Sequence, residues 1–320
     1  MESDRSLMLV RIAEMYYERN LSQREIADTL EMSRPMVSRM LAEARSQGVV
    51  TIQIHRPIAR RADLEFQLRE RFGLLDAVVV PVPPRKSERG IVGAATAEYL
   101  HTRVVDANVV GLSWGRDLVE MVNAFQPLPL SGVHVVQLAG GLGEGDPTSD
   151  GPNIARAFAE KVRGTVRYVF APTVVENRYT RDALVKQPQI AQSLRVASAL
   201  DIAVTGVGAL DDASSTLARA GYLSRAARTS LIRAGGVAHV LGYVIDDTGL
   251  LVDHPYNGCV VAASLEDVRR ARLSIGMVAM LEKARSAQAA LNGRLFDVLV
   301  TTEPLAAVLL EPSPEAAVVG

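Results

Sequence analysis

Between residues 77 and 301 the chain repeats one pattern: a short, nearly continuous run of apolar, mostly β-branched residues, then a longer segment with helical spacing. The runs are AVVVPV (77–82), ANVVGLSW (107–114), VHVVQLAGG (133–141), RYVFAP (167–172), DIAVTGVGAL (201–210), VAHVLGYVI (237–245) and LFDVLVT (295–301). Segments 89–103, 116–125, 152–163, 182–200 and 278–291 suit crossover helices. A strand with one wet face alternates apolar and polar residues, whereas a strand covered on both faces does not. The pattern therefore predicts an α/β domain with a doubly wound, mainly parallel sheet. The Ala-rich tail 304–320 reads as a last helix and a loose end, and no repeat or low-complexity tract is present.

The first 56 residues follow another pattern. Leu9, Ile12, Ala13, Met15 and Tyr16 recur at three and four, which predicts an amphipathic helix over 5–19. Ser22 and Glu25 have the spacing of a capping box ahead of Ile26, Ala27 and Leu30, and Glu31-Met32 reads as a turn. Ser33 is the next expected N-cap, with Pro35 in the first turn, Val37, Met40, Leu41 and Ala44 facing inward, and Gly48 closing the helix. VVTIQI (49–54) reads as a strand. Helix, short turn, and a second helix that opens with small polar residues and arginines is the sequence form of a helix-turn-helix. In such a unit Ser33, Arg34, Met36, Ser38 and Arg39 lie in the first two turns of the reading helix. Arg34 and Arg39 suit guanine or phosphate, and Gln23 and Arg24 suit backbone phosphates. A plain three-helix packing module is the bland alternative, and residues 1–60 hold nine Arg against eight acids, a net of only +1. The distribution favours DNA: Glu2, Asp4, Glu14 and Glu18 lie on the first helix, and Arg34, Arg39 and Arg45 on the third.

The 320 residues suit two domains, divided as a head over 1–56, a connecting helix over 57–73 with Ile58, Leu64, Leu68 and Phe72 inward, and an effector domain over 74–320. Hydrophobic residues at 48% and charged residues at 22% exclude disordered and fibrous classes. A net charge of -1 means that any nucleic-acid contact must come from a local patch. The uncharged stretch 121–143 is broken by Pro127, Pro129, Gly132, His134 and Gln137, so no membrane span is expected. With no signal-peptide pattern and a single cysteine, Cys259, a cytoplasmic protein is expected. His55, His101, His134, His239 and His254 lack metal-ligand spacing and read as structural, so no metal and no cofactor is expected. Asp253-His254, after a glycine turn, is the pair that could line a pocket.

SQREIADTLEMSRPMVSRMLAEARSQGVV, then VVGLSWGRDL, LAGGLGEGDPTSDGPNIARAFAEK, DIAVTGVGAL, AGYLS, VDHP and SLEDVRRA, in that order, resemble the SorC family of bacterial sugar-responsive transcriptional regulators over nearly the whole chain. The resemblance implies a DNA-binding head, an effector domain similar to the glucosamine-6-phosphate deaminase and ribose-5-phosphate isomerase fold, a homotetramer, and a sugar or sugar phosphate as ligand.

Ligands of open parallel sheets bind at the carboxyl ends of the strands. Ser113, Gly115, Arg116 and Asp117 follow one such run and open a helix. Gly140, Gly141, Asp146, Asp150 and Asn153 follow the next, and Gly206 and Gly208 a third. Arg116 and the backbone N–H groups suit an anion, and Asp146, Asp150 and Asn153 suit sugar hydroxyls. The glycines could equally serve tight turns, and Trp114 either a sugar face or the core. Where phosphosugar-binding members of the family carry small hydroxyl residues, this chain has Arg116-Asp117, and Asp117 would compete with phosphate for the same donors. The family's late loop places glycines before a Glu-Lys; here Glu282-Lys283 remains without them, so Lys283 enters as a contact implied by the resemblance. The function so expected is a DNA-binding regulator controlled by a small carbohydrate, with operator DNA as partner and no catalytic residues. The alternative is a sugar-phosphate isomerase or deaminase with a fused head, for which Glu144, Asp146 or Asp150 would have to serve as base.

Overall fold

The computed structural model describes residues 2–50, 58–143, 149–210 and 215–311. The predicted strand 49–54 lies mostly outside them, as do His55, Glu144, Asp146 and the end of the tail. The chain divides into two compact units, 1–57 and 58–320.

In the first unit, helix α1 (Glu2–Ala13) continues into a π-helical turn (Glu14–Glu18), so the single helix expected over 5–19 changes its winding at Glu14. Helix α2 (Gln23–Thr29) starts at Ser22, whose hydroxyl accepts from Glu25 N while Glu25 accepts from Ser22 N at 2.7 Å, closing the capping box. Glu31 turns the chain at φ 52°, and α3 (Arg34–Ser46) follows. Ser33 has the backbone of an N-cap, but its side chain makes no capping hydrogen bond, contrary to expectation. Leu9, Ile12, Ile26, Val37, Leu41 and Ala44 close the core. Arg5 donates two hydrogen bonds to Glu43, pinning α1 to α3.

The second unit begins with α4 (Ala62–Phe72), which packs on β1 (Asp76–Val80) and on the last helix described, α14 (Glu303–Leu310). The segment expected to connect the domains is thus built into the sheet's edge. Arg61 N donates to Val79 O, the Arg60 side chain donates to Ala77 O, and the Glu65 carboxylate accepts from Val79 N, so one backbone group and two side chains satisfy the free side of β1. Between these ends run α5 (Glu88–His101), β2 (Val109–Leu112), α6 (Arg116–Ala124), β3 (His134–Gln137), α7 (Gly151–Val162) and β4 (Thr165–Arg167). Then come α8 (Arg178–Val185), α9 (Pro188–Ala197), β5 (Ile202–Gly206), β6 (Gly208–Ala209), α10 (Thr216–Arg219) and α11 (Arg225–Arg233). The chain continues through β7 (Ala238–Val240), β8 (Tyr243–Ile245), α12 (Leu265–Arg270), β9 (Leu273–Val278), α13 (Ala284–Asn292) and β10 (Val298–Thr302).

Seven strands form one sheet in the order β1-β10-β9-β5-β2-β3-β4, every pair parallel. Alternate residues feed opposite faces: Val78 and Val80 join Val92, Met121 and Phe158 of α5, α6 and α7, while Ala77 and Val79 join Leu68, Ala290 and Leu305 of α4, α13 and α14. The doubly wound, mainly parallel sheet is as the apolar runs predict.

Four details differ from the sequence-based expectation. The run 237–245 is two strands, because Leu241 and Gly242 both take positive φ (54° and 92°) and reverse the chain into an antiparallel hairpin. With β6 that hairpin forms a separate three-stranded sheet. Pro188 splits the helix expected over 182–200 into α8 and α9. The edge strand β4 precedes the run 167–172, and β9 escaped prediction altogether. Its Ser274 and Gly276 interrupt the apolar run, and both are needed: Ser274 donates to Asp297, and a Cβ on Gly276 would lie 2.3 Å from the Phe296 ring.

Candidate functional site

In the first unit Arg34, Ser38 and Arg39 stand exposed on one side of α3, and neither arginine forms an ion pair among the described residues. Ser33 is exposed just ahead of them, whereas Met36 is half-buried against the core with Arg39 Nη2 at 3.9 Å from its sulfur. Gln23 and Arg24 occupy the first turn of α2, where Gln23 is half-exposed and Arg24 exposed.

In the second unit the strand order itself marks a site. From β2 the chain winds outward through β3 and β4; from β5, the neighbour of β2, it winds the other way through β9 and β10. Adjacent strands whose connections diverge leave a crevice at their carboxyl ends. A cleft opens there, lined by Ser113, Trp114, Gly115, Arg116, Asp117 and Leu118 after β2, Gly206, Val207 and Gly208 after β5, and Lys283 after β9. Arg89, Thr216, His239 and Leu241 complete the wall.

Charge in the cleft is organised around one buried carboxylate. Asp117, second residue of α6, binds Arg89 Nε through Oδ1 at 2.9 Å and Lys283 Nζ through Oδ2 at 3.3 Å. Arg116 is exposed and, among the described residues, has no ion-pair partner. Gly115 adopts φ 130°, which only glycine tolerates, and its N–H donates to Ser149 O at 3.0 Å, tying the β2 loop to the start of α7. The inner wall is neutral. His239 and Trp114 are buried with ring centroids 5.8 Å apart, and both His239 nitrogens and Trp114 Nε1 lack a hydrogen-bond partner among the described residues. Burial, and secondarily the nearby Lys283 charge, push the His239 imidazolium down to about 3 from 6.5, so the ring is neutral at physiological pH.

Of the residues singled out in sequence, Ser113, Gly115, Arg116, Asp117, Gly206, Gly208 and Lys283 meet in this cleft. Gly140, Gly141, Asp150 and Asn153 do not line it. Gly140 lies against the backbone of Ala171 and Pro172, where a Cβ would be 2.5 Å from Ala171 O. Asp150 caps α7, accepting from Gly151 N and Leu142 N, each at 2.8 Å. His254 caps a 3-10 turn and meets Ser230 Oγ at 3.0 Å, away from the cleft. Arg89, Thr216 and His239 were missed. A histidine inside an apolar strand run, VAHV, was the signal for the last; nothing local marks the other two.

The family model described as "Putative sugar-binding domain" matches residues 56–311. The chain belongs to this sugar-binding family. Within the wider SorC group it is 29% identical to the deoxyribonucleoside regulator of Bacillus subtilis over 97% of this chain and 99% of that protein. It is 28% identical to the sorbitol operon regulator of Klebsiella pneumoniae, over 97% and 99% of the two chains. The crystal structure of full-length SorC from Klebsiella pneumoniae superposes with a TM-score of 0.71 at 27% identity, covering 96% of this chain and 100% of that one. Likeness to SorC regulators thus extends over head and sugar-binding domain together. Among the described residues no helix is long and apolar enough to cross a membrane.

Proposed function

We propose that this protein is a transcriptional regulator whose affinity for operator DNA is set by a small carbohydrate held at the carboxyl ends of β2, β5 and β9. The observation that carries the reading is the joint one: a regulator-like head with two exposed arginines early on one helix, and a sugar-binding-family domain with a built cleft, in a chain that matches whole regulators end to end. Under this reading α2 and α3 form a helix-turn-helix. Arg34 and Arg39 contact base edges or phosphates, and Gln23 and Arg24 the phosphate backbone. Ser33 and Ser38 flank the contact, and Met36 serves mainly to shape it.

The cleft supports binding better than catalysis. Asp117 is held by two cations and Asp150 is spent on two backbone N–H groups, so neither is poised to take a proton. One head reads only a few base pairs, so the working unit is an oligomer on a two-fold-related operator; the SorC resemblance makes it a tetramer.

The test is a footprint of the full chain on DNA from its own promoter region, with and without a panel of carbohydrates. Operator protection that a carbohydrate weakens or strengthens is expected. Arg34→Ala and Arg39→Ala are each expected to cost about 1–3 kcal/mol of operator binding while leaving carbohydrate binding unchanged. Parent-like footprints from both variants would remove α3 as the reading element.

A further inference from the structure

Resting on that reading of the cleft, we propose that its ligand is an uncharged polyhydroxy compound, a free sugar or alditol, and not a sugar phosphate. The positive end of α6 and its neighbouring cations form the kind of site that would hold a phosphate. Here the place is filled from within. Asp117 engages Arg89 with one carboxylate oxygen and Lys283 with the other, and all three side chains are largely withdrawn from water, with exposures of 6%, 20% and 9%. A phosphate arriving there meets a buried like charge that already holds one donor of each inner cation. Arg116 remains, but at the exposed mouth a single ion pair contributes little.

The inner wall asks for the opposite chemistry. A neutral imidazole offers one N–H donor and one bare acceptor nitrogen, and an indole N–H donates only. Both His239 nitrogens and Trp114 Nε1 are buried and unpaired at the cleft. Gly208, paired with His239 in register, lets the ring edge pack directly against its backbone: a Cβ there would lie 2.0 Å from Nε2. A hydroxyl can give to the bare nitrogen and take from the N–H groups, whereas the oxygens of a phosphate dianion only accept and would leave the acceptor orphaned. His239 and Trp114 therefore read hydroxyls, and Asp117 acts as the chain's own anion in place of a ligand phosphate.

Thermal shift of the full chain against pentoses, hexoses and their alditols, each beside its monophosphate ester, finds the responsive pair, and calorimetry then ranks its two members. In the parent the uncharged member is expected to bind at least tenfold tighter. Asp117→Asn, which frees Arg89 and Lys283, is expected to raise affinity for the phosphate ester at least tenfold. His239→Phe is expected to lower affinity for the uncharged member at least tenfold, with cooperative unfolding retained. Equal affinities in the parent, or a tighter phosphate ester, overturn the proposal while leaving a carbohydrate-responsive regulator intact. If no carbohydrate of either kind shifts the parent, the functional reading itself falls.

Discussion

Two serines show how far identical local signals can diverge. Ser22 and Ser33 both precede a helix, yet only Ser22 donates and accepts in a closed capping box, while the Ser33 hydroxyl is idle. Ser22→Ala is expected to destabilise the head by about 1 kcal/mol, and Ser33→Ala by less than about 0.5 kcal/mol. Urea unfolding of the two variants checks this, and equal losses would refute it. His239 makes a second prediction. Its imidazolium titrates near 3 in the folded chain and near 6.5 when unfolded, so the unfolded state binds the extra proton between these values. The contribution of this group to stability is therefore fully present above about pH 6.5 and falls by about 1.4 kcal/mol for each unit from there down to about pH 3. On going from pH 7.5 to 5 the parent is expected to lose about 2 kcal/mol more than His239→Leu, since shared carboxylate effects cancel in the difference. Parallel losses in denaturant titrations would mean that the ring is protonated in the fold.

The elements owe their placement to short polar ties as much as to apolar periodicity. Asp150 holds Leu142 N and Gly151 N at once, joining the loop after β3 to α7. Asp150→Ala strands both donors and is expected to cost about 1 kcal/mol, measured by urea unfolding, with Asp150→Asn recovering most of it. An Ala variant as stable as the parent would show the tie to be dispensable. Most helices and the strands β1, β2, β3, β5 and β10 were legible because their spacing is local. β9 was not, because its small residues are chosen by contacts with Phe296 and Asp297, some twenty positions away. The hairpin β7–β8 was hidden for a related reason: a leucine at φ 54° is imposed by the fold and has no signature in composition.

For the whole molecule, a carbohydrate can change operator affinity only through its differential affinity for two arrangements of the protein, commonly about 1–3 kcal/mol, or roughly 5- to 150-fold. Linkage makes that coupling reciprocal. Saturating operator DNA is expected to change carbohydrate affinity by the factor by which saturating carbohydrate changes DNA affinity, and calorimetry beside fluorescence anisotropy measures both. Unequal factors would show that the two ligands do not report on one equilibrium. Light scattering of the protein alone is expected to give a tetramer, and a monomer both with and without DNA would overturn the assembly.

The sequence alone determined what depends on neighbours along the chain. Alternation of apolar runs with amphipathic segments specified a parallel α/β sheet, and the Ser22–Glu25 spacing with Pro35 specified the paired helices of the head, because backbone hydrogen bonding and burial of a periodic face are local requirements. It also placed Ser113–Asp117 at a strand end. Only the tertiary structure decided which strand ends meet. The divergence of connections at β2 and β5 brings Arg89, 28 positions away, and Lys283, 166 positions away, onto Asp117, and leaves Asp150 outside the cleft. Partners so distant in sequence are selected by sheet order, which is set by how whole layers pack, and no single segment of the chain carries that information.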